Sequence, residues 1–226
     1  MKANLIVVFL MPMYLFSQEM VGIYAISFSI NQNLLQEYKV QTGQNSSSNT
    51  SFSYRSIPPL SDFLHDSVRF ALEKMVAEVF SSEANCIYRM NRKNEPISTI
   101  GYSTNIRGLP RNCLRTAVKL HDKDTYVRVY VRFYGYSVSN PSIFGFQKGF
   151  VQPVVSIRIK AYNVERKKIY NRKIRYSNFP QLKNFQVSGF GNQTSVTRQE
   201  ILSSNMIFSM LKETISAYKS KYLSKL

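Results

Sequence analysis

Tryptophan is absent from this 226-residue chain, and histidine and cysteine occur only twice each. His65 and His121 each lack a second ligand one helical turn away, so no helical zinc pair is expected. There is no Cys-x-x-Cys for dithiol redox chemistry and no Gly-x-Ser-x-Gly elbow to present a nucleophile. Gly189 and Gly191 lie in GFGN, which has no basic partner of the kind a phosphate-cradling loop uses. These absences leave no expected catalytic, metal or cofactor residue and point away from enzymes. A hydrolase with a dispersed site stays open as the alternative. Negative charge is scarce too: 13 Asp and Glu face 30 Lys and Arg, a net charge of +17.

Long apolar runs are missing with one exception. Lys2 precedes the run Leu5–Phe16, which Pro12 interrupts and Ser17, Gln18 and Glu19 follow. A bilayer span needs roughly 20 apolar residues, so residues 1–18 are expected to be a signal peptide, cleaved near Ser17 or Gln18. An uncleaved anchor is the competing reading. No cysteine follows the run, so lipid attachment there is not expected. The expected location is periplasmic or secreted, with residues 19–226 forming a single domain.

The charge is lopsided. Residues 1–113 hold 10 Lys/Arg and 8 Asp/Glu, whereas 114–226 hold 20 and 5. A field of that sign attracts phosphates and carboxylates, though a solvated surface of high pI would carry it equally well.

The richest pattern runs from Asp124 to Ser177 and reads as a three-stranded antiparallel meander. Val127, Val129, Val131 and Phe133 alternate with Arg128, Tyr130, Arg132 and Tyr134, and Val155, Ile157 and Ile159 with Arg158, Lys160 and Tyr162. Period-two alternation is what a sheet with one buried face requires. With Lys173 and Arg175 from the third strand, the opposite face becomes basic and tyrosine-rich, able to fork onto anions and stack flat groups. The ordinary alternative is a solvent face. Export disfavours nucleic acid, so acidic envelope polymers, lipid head groups or an envelope protein are the expected partners.

Other elements frame the meander. Val21–Ile30 is expected to be a central strand, with Tyr24, Ile26, Phe28 and Ile30 on one face and a small-residue face opposite for close helix packing. Residues 41–56 are rich in Ser and Asn and are expected to be a mobile loop; Asn45 and Asn49 match glycosylation acceptors. Ser61 reads as an N-cap for a helix to about Phe80, with Leu60, Leu64, Val68, Leu72, Met75, Val76 and Val79 as its stripe. Asn85–Met90 reads as extended, Pro110 as the first turn of a second helix, and Ser137–Gln152 as a long connection carrying Phe144, Phe146 and Phe150. Thr197 with Glu200 reads as a capping box for a last helix to about Tyr222. Cys86 and Cys113 are compatible with a disulfide, worth about 3–4 kcal/mol on loop entropy, and equally with two buried thiols.

The order of these elements, from VGIYAISFSI through HDKDTYVRVYVRF to VSIRIKAYNVERKKIYNRKIRYS, resembles the periplasmic domains of the curli-secretion-channel and penicillin-binding-protein-activator lipoproteins. It is also similar to uncharacterised Bacteroidetes envelope proteins. The chain departs from them in lacking a lipidation cysteine and in placing Val164-Glu165-Arg166 at the hairpin turn, where those proteins use Asp and Gly. The resemblance implies fold and compartment and assigns no functional residue. The expected fold is α/β, or α+β: a mixed sheet with about three helices on its apolar face. The expected function is non-catalytic binding in the cell envelope, or a structural role in an envelope assembly.

Overall fold

The computed structural model describes residues 19–31, 34–35, 38–41, 51–54, 62–98, 106, 108–140, 147–190, 193–197 and 200–223. The expected signal peptide, Leu60, Ser61, Asn45, Asn49, Phe144 and Phe146 lie outside them. In chain order the elements are β1 (Val21–Ile30), β2 (Tyr38–Gln41), β3 (Ser51–Tyr54), α1 (Asp62–Phe80), β4 (Ala84–Cys86), β5 (Arg89–Met90) and β6 (Pro96–Ile97). The second half follows with α2 (Leu114–Leu120), β7 (Thr125–Asn140), β8 (Gln147–Asn163), β9 (Lys168–Tyr176), β10 (Leu182–Phe190), β11 (Gln193–Thr197) and α3 (Ser204–Tyr222).

The expected α/β fold with a mixed sheet is the fold found. Seven strands form the main sheet, six of them in the order β11-β10-β8-β7-β1-β4 and the seventh, β9, paired with β8. β7 and β8 make one long antiparallel hairpin, paired from Thr125↔Asn163 to Asn140↔Lys148. β1 lies parallel to β7 and to β4. The outer edge of β8 is shared, with β10 on its first half and β9 on its second.

The register makes the alternation three-dimensional. Rows such as Phe28–Val131–Ile157–Ile174 and Ile30–Phe133–Val155–Tyr176 cross four strands on one face. Helices α1 and α3 cover this face with Leu64, Val68, Leu72, Met75 and Val76 from one and Ile207, Met210, Leu211, Ile215 and Tyr218 from the other. An ion pair from Lys219 of α3 to Glu78 of α1 ties the two helices at their rim.

Six local expectations need correction. The register of β1 against β7 shifts between Ile23 and Ala25, inserting an extra residue. Such a bulge reverses the parity of the strand. Val21, Ile23, Ile26, Phe28 and Ile30 therefore all reach the main core, while Tyr24 turns to the other face. Pro110 is not in a helix: its carbonyl accepts from Ile26 N–H at 3.0 Å, and Asn112 N–H donates to Tyr24, so this segment pairs with β1 along the bulge. The second helix begins only at Leu114 and packs on the opposite face of the sheet, against Tyr24, Ala25, Ile87 and Tyr126. The Ser137–Gln152 connection is largely strand, because β7 and β8 continue pairing beyond the apolar alternation.

Polar segments account for the remaining two. β2 pairs antiparallel with β3, and Ser51–Tyr54 of β3 lies within the Ser/Asn-rich region. Likewise β10 and β11 pair antiparallel just ahead of the position where Thr197 and Glu200 suggested a capping box. Thr197 ends β11, and the Glu200 carboxylate accepts from Lys183 N–H at 3.0 Å. The cap of α3 is Ser203, whose hydroxyl accepts from Met206 N–H at 3.3 Å, an ordinary Ser N-cap. Among the described residues, no helix is long and apolar enough to cross a membrane.

Candidate functional site

The face opposite α1 and α3 is built from the same pairings. Its rows are Ala25–Arg128–Lys160–Asn171, Ser27–Tyr130–Arg158–Lys173 and Ser29–Arg132–Ser156–Arg175, with Tyr134 beside Val154 at the next step. All nine residues singled out in the sequence thus project from one side of the sheet: Arg128, Tyr130, Arg132, Tyr134, Arg158, Lys160, Tyr162, Lys173 and Arg175. The structure divides them. Tyr162 packs into the small core beneath α2 with Tyr24, Tyr126, Leu114 and Val118, so it is a packing residue and not part of an open surface. Burial there, with the neighbouring Tyr162 phenol, pushes the Tyr24 hydroxyl up to about 12.

Beyond α2 the face is open and cationic. The Arg128 guanidinium lies 4.7 Å from the Tyr130 ring centroid and the Lys160 ammonium 5.3 Å from the same ring, so one tyrosine is flanked by two cations. Arg128 also donates to Ser27 Oγ at 3.4 Å, and Arg158 Nε donates to Asn171 Oδ1 at 2.9 Å. No carboxylate among the described residues pairs with Arg128, Arg132, Arg158, Lys160, Lys173 or Arg175.

At the far end the face sinks into a cleft of about 510 Å³, lined by Ser29, Arg132, Tyr134, Tyr136, Ser156, Lys173 and Arg175 among others. The Tyr134 and Tyr136 rings stand edge to face at 5.5 Å. Burial and the bond to Tyr136 raise the Tyr134 hydroxyl above its ordinary range, while the charges of Arg175 and Arg132 pull it partly back. The cleft lining contains neither a carboxylate nor an imidazole. Ser29, Ser156 and Tyr136 were not singled out in the sequence. Tyr136 continues the β7 alternation past Gly135 and could have been found. Ser29 could not, because its place depends on a parallel register with a strand about a hundred residues away. The small face of β1 was expected to take a helix, and only Ala25 does; Ser27 and Ser29 serve the cationic face.

The remaining candidates disperse. His65 Nδ1 is 3.3 Å from Asp66 and its ring lies over Gly108, while His121 sits at the end of α2 with its carbonyl taken by the Tyr126 hydroxyl. No group of three potential metal ligands forms among the described residues.

The suggested disulfide is not made: Cys86 and Cys113 are free thiols on opposite sides of the sheet. Cys86 packs against the main core beneath α1, where its N–H donates to Glu73 at 2.9 Å. Cys113 is the exposed N-cap of α2, 3.0 Å from the Thr116 hydroxyl. That hydrogen bond lowers the Cys113 thiol below its ordinary range, whereas burial raises Cys86 strongly. Only thiolate reacts readily. Iodoacetamide should therefore modify one thiol of the folded chain, and Cys113→Ser should abolish that reaction. Comparable labelling of both thiols before unfolding would contradict this placement.

The sequence matches no family model and no curated protein. Among solved structures it is similar to a protein described as a neuraminyllactose-binding hemagglutinin homolog from Helicobacter pylori. The identity is 7%, over 93% of this chain and 86% of that one, with a TM-score of 0.39. A likeness of that degree has no bearing on function.

Proposed function

We propose that the chain is an exported, non-catalytic cell-envelope protein whose basic, tyrosine-bearing sheet face binds anionic envelope material. One observation carries this reading: the face opposes like charges directly. Arg128 is the cross-strand partner of Lys160, and Arg158 of Lys173. Like charges in such positions destabilise a sheet, where opposite charges would contribute roughly 0.2–1 kcal/mol. A fold that keeps an unfavourable local arrangement, with no carboxylate beside it among the described residues, is organised for an external counter-charge. The apolar run after Lys2 supports export and so favours acidic polymers, lipid head groups or an acidic protein over nucleic acid.

Replacing Arg128, Arg132, Arg158 and Lys160 together by glutamate should weaken binding to anionic vesicles, acidic glycans and envelope extracts by about ten-fold or more at low salt. Unchanged binding by all three would remove the proposal. Lys160→Glu alone provides an internal check. It turns the Arg128 pair into an attractive one but removes the ammonium beside the Tyr130 ring. The two effects are about 0.2–1 kcal/mol each and opposite in sign, so it should leave stability nearly unchanged while weakening binding. A substitution that impairs the function without cost to the fold is the signature expected of a binding residue.

A further inference from the structure

We propose that the cleft at the Arg132 end of this face is a discrete site for one acidic sugar unit, a pyranose bearing a carboxylate or a phosphate. The inference rests on the anion-binding reading of the face and narrows it to a ligand class. Its basis is the row Ser29–Arg132–Ser156–Arg175, in which arginine and serine alternate across four neighbouring strands. Adjacent strands lie about 4.8 Å apart, so the Arg132 and Arg175 backbones stand about 10 Å apart, with β8 between them. What β8 places in that gap is the small side chain of Ser156. Two planar guanidinium forks across a hydroxyl-floored gap suit an oxyanion held from both sides, with the Lys173 ammonium from the adjacent row adding charge.

The rest of the cleft is not built for a bare ion. The perpendicular Tyr134 and Tyr136 rings form one wall, and Tyr136 is 55% exposed, an aromatic surface left open beside hydroxyls and cations. A sugar ring offers what that wall and those hydroxyls can use together: flat patches of C–H for a tyrosine face and hydroxyls for Ser29 and Ser156. At about 510 Å³ the cleft has the size of a small-molecule site. A lipid chain would need an apolar wall, and the lining offers little beyond the two tyrosine rings, since the side chains of Ile30 and Phe133 point into the core on the other face.

The test titrates the full chain, by calorimetry or NMR, with glucuronate, a hexose phosphate, glucose and inorganic phosphate. Anionic phospholipid vesicles are assayed in parallel. The expected result is that glucuronate and the hexose phosphate bind about ten-fold or more tightly than either glucose or inorganic phosphate. Arg132→Gln and Tyr136→Ala should each weaken that binding about ten-fold, the second without any change of charge. Lys212→Gln, on α3 on the other side of the sheet, carries the same charge loss as Arg132→Gln and should leave it unaltered. Inorganic phosphate binding as tightly as the hexose phosphate, or equal losses from Lys212→Gln and Arg132→Gln, would overturn the sugar site. Vesicles that bind while no sugar acid does would also overturn it, yet leave the anion-binding face standing. If sugar acids, vesicles, acidic glycans and envelope extracts all fail to bind, both readings fall.

Discussion

Phe133→Ala should lower the unfolding free energy by about 3–5 kcal/mol, the largest effect expected of a single substitution here. Phe133 is fully buried, paired with Ile30 of β1 on one side and Val155 of β8 on the other. Its ring lies 5.3 Å from that of Phe28, and its carbonyl accepts from Asn31 N–H at 2.9 Å. Truncation therefore leaves a cavity between two strands held in place by backbone pairing, which cannot collapse to fill it. Domains are typically stable by about 5–15 kcal/mol, so the loss takes a large share of the whole. Denaturant midpoints with an unchanged slope would measure it. A cost below about 1 kcal/mol would mean that Phe133 does not lie at the centre of the sheet.

The second large effect is on pH. Tyr24, held at about 12, gains its proton preference from folding, since an exposed phenol titrates near 10. In the window between those values the unfolded chain has lost the proton and the folded chain keeps it. Stability is then fully present below pH about 10 and falls as pH rises towards 12, by about 2–3 kcal/mol from Tyr24 alone. Tyr218 acts in the same direction, raised by burial and by the 2.9 Å bond between its hydroxyl and that of Tyr170; burial likewise raises Tyr88 and Tyr126. Denaturant midpoints should fall steeply across this range, and Tyr24→Phe should flatten the slope. A flat profile, or tyrosines that all ionise together near 10, would refute it.

The strands that buried alternating aliphatic residues were legible from sequence, and so was the cationic face that the same alternation implies. α1 was legible for a related reason: Leu64, Val68, Leu72, Met75 and Val76 repeat at its period. What escaped was structure held by pairing with no apolar period. β10 and β11 are rich in Ser, Thr, Gln and Asn and owe their conformation to the free edge of β8. The bulge at Tyr24 escaped because an inserted residue leaves no mark in composition, yet it decides which side chains of β1 reach the core. The face was thus visible and the cleft was not. Its alternating serines and arginines come from four strands, and their alignment follows from registers that no local pattern encodes.

β1 carries one more consequence. It lies between two parallel neighbours, and its longer partner begins at Thr125, so Val21 finds its cross-strand companion only after about a hundred intervening residues. Contacts of such separation are slow to form, because loop closure is paid for before pairing rewards it. A chain emerging N-terminus first would hold VGIYAISFSI without its β7 partner until the long hairpin had followed. The middle of the sheet is therefore closed late, and VGIYAISFSI stays an unpaired apolar segment for more than half of the chain's length.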